Sequence, residues 1–77
     1  MDDSNYGYVR INLQNFMKEH GVSKSKLTFK AELQRTQLNL YLKNEIQRVD
    51  LGVLARICSA LECEISDILE YVPAEKE

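Results

Sequence analysis

Residues 23–42 read SKSKLTFKAELQRTQLNLYL, and their spacing decides the fold. Leu27 and Ala31 stand four apart, on one face of a first short helix. Leu38, Tyr41 and Leu42 stand three and four apart, on one face of a second. Between them Glu32, Leu33 and Gln34 leave room only for a sharp corner, with Leu33 as its buried peg. Ser23 is a natural N-cap, because its side-chain oxygen can accept from a free amide of the first turn. Lys26 stands where a capping box would place Glu, so that box is incomplete. Two short helices about a turn of this length make a helix-turn-helix.

Ahead of this pair, Leu13, Phe16, Met17 and His20 recur at i, i+3, i+4 and i+7, which predicts an earlier helix with one apolar stripe. Asn12 is placed to cap its start and Gly21 to end it. His20 in its last turn suits the helix dipole. Residues 1–8 read as a flexible N-terminus and residues 74–77 as a charged tail, with the folded part spanning 9–73. After the corner, residues 43–48 form a polar connector in which Asn44 can take the left-handed conformation. Asp50 caps a fourth helix whose inward face is Leu51, Leu54, Ile57, Cys58 and Leu61, with Val53 beside it. Glu64 or Ser66 starts a last short helix that turns Ile65, Ile68 and Leu69 inward, and Tyr71-Val72-Pro73 ends it. The expectation is an all-α domain of five helices. β-formers at both ends also allow Tyr71-Val72 to pair with Val9-Arg10-Ile11, within the chain or across a dimer.

Seventy-seven residues make one domain, 44% hydrophobic, with no run near the roughly 18 apolar residues of a membrane span. No basic-then-apolar signal opens the chain, so a cytoplasmic protein is the expectation. Cys58 and Cys63 with the single His20 do not supply a zinc set, and reduced, buried thiols are expected. There is no Cys–His or Ser–His–Asp constellation and no Gly-rich phosphate loop. An enzyme, a cofactor and a small-molecule ligand are therefore not expected.

The net charge of −2 conceals a polarised chain. Residues 18–48 hold seven basic and three acidic side chains, a local charge of +4, while the remainder holds three basic and nine acidic ones, a charge of −6. Such a chain can offer phosphates a positive face while staying acidic as a whole. The outer side of the second helix of the pair carries Arg35, Thr36, Asn39 and Leu40, with Gln34 at its tip. These residue types read base edges: Arg for guanine, Asn or Gln for adenine, a methyl-bearing side chain for thymine. In a helix-turn-helix the second helix enters the major groove and the first lies across the backbone.

Taken together, three segments carry a specific resemblance: INLQNFMKEHGVSKSKL at 11–27, LQRTQLNLYLKN at 33–44 and RVDLGVLARICSALECEISDILEYVP at 48–73. The chain resembles the Cro/repressor-type (XRE-type) helix-turn-helix family. The resemblance implies a lambda-repressor-like domain that binds double-stranded DNA, often as a homodimer on a palindromic site, in a transcription regulator. It also implies site residues: Gln34, Arg35, Thr36 and, further along, Asn39 and Leu40 at the bases. Lys24, Lys26, Lys43, Asn44 and Arg48 would be at phosphates. The chain departs from the family pattern at Lys24 (usually Gln), Thr28 (usually Ala), Glu32 (usually Gly) and Gln34 (usually Ser or Thr). Glu45 adds a negative charge near the phosphate rim. As the alternative, exposed Phe29 and Leu40 would fit a protein-interaction or antitoxin-like module that kept the fold without the groove contacts.

Overall fold

A computed structural model describes residues 6–75. The order of elements is β1 (Tyr8–Ile11), α1 (Leu13–His20), α2 (Lys24–Ala31), α3 (Arg35–Leu42), α4 (Leu51–Leu61), α5 (Ile65–Ile68) and β2 (Leu69–Val72). The five helices stand as expected, but the all-α expectation is corrected by a two-stranded antiparallel ribbon. In it Tyr8 faces Val72, Val9 faces Tyr71, Arg10 faces Glu70 and Ile11 faces Leu69. The pairing forms within the chain. β1 begins at Tyr8, and Met1–Asn5 lie outside the described residues. Gly7 leads into β1 with φ +80°, and a Cβ there would run into the Val72 carbonyl, so only glycine fits beside β2. In the C-terminal tail, Ala74 and Glu75 adopt no regular structure, and the last two residues lie outside the described set.

The helices begin and end where local chemistry tells them to. Ser23 Oγ accepts from the Lys26 amide at 3.1 Å, and Asp50 Oδ1 accepts from Gly52 at 2.8 Å. Each replaces a hydrogen bond that a first helical turn lacks. Gly21, Glu32 and Glu62 end α1, α2 and α4 in the left-handed conformation. Glycine takes it freely; a glutamate there is strained by roughly 1–2 kcal/mol. Gln34 precedes α3 without a side-chain cap bond. Asn12 departs from the expected cap: its Nδ2 donates to Glu70 Oε1 at 2.9 Å, while its backbone N–H donates to Ile68 O at 2.8 Å. The ribbon, absent from a purely helical reading, recruits it.

The core draws on all five helices described and on β1. Leu13 and Met17 come from α1, Leu27 and Ala31 from α2, Leu38, Tyr41 and Leu42 from α3, and Val53, Leu54 and Ile57 from α4. Leu33 fills the corner between α2 and α3, and Ile68 and Ile11 close the end beneath the ribbon. Fully burying a leucine or isoleucine is worth about 1.5–3 kcal/mol, so these side chains hold the helices in place. Tyr41 is 1% exposed, yet its hydroxyl is satisfied, accepting from the Asp50 N–H at 3.1 Å. Arg56 Nε donates to the Ala31 carbonyl at 2.9 Å, so α4 closes the C-terminal end of α2.

Two inward assignments and one helix boundary are corrected. Leu51 is 78% exposed because it occupies the first turn of α4, beyond the edge of the core. Ile65 is 47% exposed, since α5 has a single turn and gives its one inward position to Ile68. Leu69 belongs to β2, which starts where the helix was expected to continue. α5 is N-capped at Glu64, whose N–H donates to Asp67 Oδ2 at 2.9 Å. Cys58 and Cys63 are free thiols, half-buried instead of buried. Cys63 follows the left-handed Glu62, and its N–H donates to the Cys58 carbonyl at 3.1 Å. Burial first, and Cys58 second, push the Cys63 thiol up to about 11. No described helix is long and apolar enough to cross a membrane.

Candidate nucleic-acid interface

The corner at Glu32-Leu33-Gln34 sets α3 beside α2, with Leu33 inside and Glu32 and Gln34 outside. With Leu38, Tyr41 and Leu42 committed to the core, the helical period turns Arg35, Thr36 and Leu40 to the surface. Asn39 is half-buried on the same helix. Two side-chain bonds tie this surface to the first turn of α2. Arg35 Nη2 donates to Ser25 Oγ at 2.8 Å, and Lys24 Nζ donates to Asn39 Oδ1 at 3.1 Å. The structure therefore brings together Lys24, Arg35 and Asn39, three of the sequence-derived site residues, around Ser25. Gln34, Thr36 and Leu40 flank them, with Leu40 45% exposed.

Ser25 was not singled out by sequence reasoning. A serine in the first turn of a helix carries no signal of its own, and its partner lies ten residues away. It also accepts, through its backbone carbonyl, from Thr28 Oγ1 at 3.0 Å. That local bond gives the β-branched Thr28 a place at the helix crossing.

The expected phosphate contacts divide. Lys43 and Arg48 are exposed in and after the C-terminal end of α3. Lys26 lies apart from Lys24: it lines a cavity of about 100 Å³ with Phe16, His20, Val22 and Lys30, on the side of α2 that faces α1 and α4. Asn44 is corrected. Its Oδ1 accepts from the Ile11 N–H at 2.6 Å and its Nδ2 donates to the Ile11 carbonyl at 2.9 Å. The amide is thus spent on the outer edge of β1, and the left-handed backbone of Asn44, φ 58°, aims it there. Phe29 is 84% exposed on α2.

Away from this face, Glu70 Oε1 receives both Arg10 Nη2 at 2.7 Å and Asn12 Nδ2. The Asn12 bond, then the Arg10 bond and charge, hold the Glu70 carboxyl below its ordinary value. Both members of the Arg10–Glu70 pair are nearly half exposed, so it fastens the ribbon only lightly. His20 stacks on Phe16 with ring centroids 4.0 Å apart and bonds the Phe16 carbonyl through Nδ1. It sits in the last turn of α1, where the sequence put it.

A family model described as a Cro/C1-type HTH DNA-binding domain matches residues 12–74. The chain is also 30% identical, over 63 residues, to a protein of Bacillus subtilis (strain 168) described as an uncharacterized HTH-type transcriptional regulator, YozG. That alignment covers 82% of this chain and 75% of the relative. On the extent of these matches, and with five helices around one core among the described residues to carry them, the chain belongs to the Cro/C1-type HTH DNA-binding domain family.

Proposed function

We propose that the chain binds double-stranded DNA sequence-specifically and acts in the cytoplasm as a small repressor-like regulator. In this reading α2 and α3 are the helix-turn-helix unit and α3 enters the major groove. The observation that carries it is the shared face: Arg35 and Asn39 on α3 are each bonded to a residue of the first turn of α2, one of them the cationic Lys24. A reading group and a phosphate anchor thus sit within one contact surface. Gln34, Arg35, Thr36, Asn39 and Leu40 face bases, and Lys24, Lys43 and Arg48 hold phosphates and set the orientation. A homodimer on a palindromic site would present two such helices one DNA turn apart.

The test is fluorescence anisotropy with random double-stranded DNA, titrated across salt, followed by selection of a preferred site. Binding should weaken steeply with log salt. Arg35→Ala should cost about 1–3 kcal/mol on the selected site and relax one base position. Flat anisotropy at low salt would remove the proposal. The exposure of Phe29, 84%, favours a second reading, a protein-interaction or antitoxin-like module. It calls for a protein complex that survives high salt and disappears on Phe29→Ala, with no DNA shift.

A further inference from the structure

We infer that Lys24 and Ser25 turn the reading side of α3 into a donor surface that selects guanine edges and disfavours adenine. The inference rests on the groove-binding reading above and names the base class that reading leaves open. An ammonium group has three donors and no acceptor, so only the oxygen of an amide can face it. Lys24 Nζ lies 3.1 Å from Asn39 Oδ1, which fixes the amide: its oxygen is turned to the lysine and its NH₂ is the end left to a ligand.

Adenine offers one acceptor, N7, and one donor, N6–H₂, and an asparagine reads it with both ends of the amide at once. Asn39 does so less well while Lys24 holds its oxygen. The second lone pair of that oxygen remains, but an adenine N–H arriving there would meet the ammonium, donor against donor. Guanine offers two acceptors, N7 and O6, and asks only for donors.

Arg35 points the same way. It has five N–H donors in a planar fork and spends one on Ser25 Oγ at 2.8 Å. Four remain, and guanine needs two. The serine bond restrains the fork, so less rotamer freedom is lost when it meets a base. Neither bond was legible in the residue types, which by themselves assign Asn39 to adenine.

The experiment is selection of sites from a random double-stranded pool, followed by competition binding of single-base variants. Asn39→Ala and Arg35→Ala identify the base pair that each side chain reads, as the position each relaxes. Guanine is expected at both positions. Lys24→Met should release the Asn39 amide and lower the guanine-over-adenine ratio at its position by about fivefold or more, the low end of what a base contact discriminates. The ratio at the Arg35 position should hold. Ser25→Ala should do the reverse. Lys24→Arg, which still donates to Oδ1, should keep the guanine preference. Lys24→Met also removes a phosphate charge, but that weakens all sequences alike and leaves the ratio untouched. Thermal denaturation of each variant checks that it is folded at the binding temperature. Adenine at the Asn39 position in the native protein, or a ratio unmoved by Lys24→Met, overturns the inference and leaves DNA binding standing. A native protein that binds no DNA overturns both.

Discussion

Asn44 is the residue whose replacement separates architecture from recognition most cleanly. Its side-chain amide serves both backbone groups of Ile11, at 2.6 and 2.9 Å, and so acts as a one-residue extension of the sheet on the outer edge of β1. Each such bond contributes about 0.5–1.5 kcal/mol net, and a buried partner left unpaired costs about 1–3 kcal/mol. Ile11 is 7% exposed, but Asn44 itself is at the surface, so water can reach part of the vacated site. Asn44→Gly, which keeps the left-handed backbone and removes the amide, should therefore cost about 2 kcal/mol. Asn44→Ala adds the strain of a positive φ, about 1 kcal/mol more. For a domain of this size each kcal/mol moves Tm by about 4–8 °C, so Asn44→Gly should fall by about 8–16 °C and Asn44→Ala further. Thermal unfolding followed by far-UV circular dichroism reads this directly. DNA affinity measured well below Tm should be nearly unchanged in Asn44→Gly, because the amide is spent inside the protein. A Tm shift under about 2 °C together with a large loss of DNA affinity would refute the assignment and return Asn44 to the phosphate rim.

Three further outcomes follow from other positions. Glu32→Gly should stabilise the domain by about 1 kcal/mol and Glu32→Ala should not, because only glycine relieves the φ of 55° that ends α2; urea titration of the pair measures the difference. Arg56→Ala should cost about 1 kcal/mol by freeing the Ala31 carbonyl at the end of α2, seen as a lower urea midpoint with an unchanged slope. The Glu70 carboxyl is held below its ordinary value, so its contribution is present above the usual carboxylate range and fades as pH falls through that range and below. Amide exchange in the ribbon, compared at neutral and acidic pH, should loosen in the native protein and change less in Glu70→Gln.

The helices were legible because their signals are local. Leu27 with Ala31, and Leu38 with Tyr41 and Leu42, share a face by the helical period alone, and all five are buried. Ser23 and Asp50 cap within three residues of themselves, and Gly21 ends α1 through its own backbone freedom. Leu51 and Ile65 show where the same logic fails. A helical period says which positions share a face, but not how far the opposing core extends, and both lie past its edge. The ribbon was legible only as a propensity at two ends, with its register and its closure within one chain left open.

The candidate site divides in the same way. Arg35, Thr36, Asn39 and Leu40 follow from the period of α3 once its core side is known, and the family resemblance marks the same helix. Ser25 and the orientation of the Asn39 amide do not follow, since each depends on a side chain ten or more residues away. Asn12 and Asn44 were assigned by type to a cap and to a phosphate. Both are instead recruited by the ribbon and its edge, Asn12 by Glu70 and Asn44 by Ile11. The helix order and the corner at residues 32–34 are legible in the residues because they depend on neighbours within a turn or two, and the polarised charge because it is a matter of composition. The tertiary structure alone decided which polar side chains remain for a ligand. Hydrogen-bonding groups go to whichever partner the packed chain brings within reach, and that choice exists only once distant segments have met.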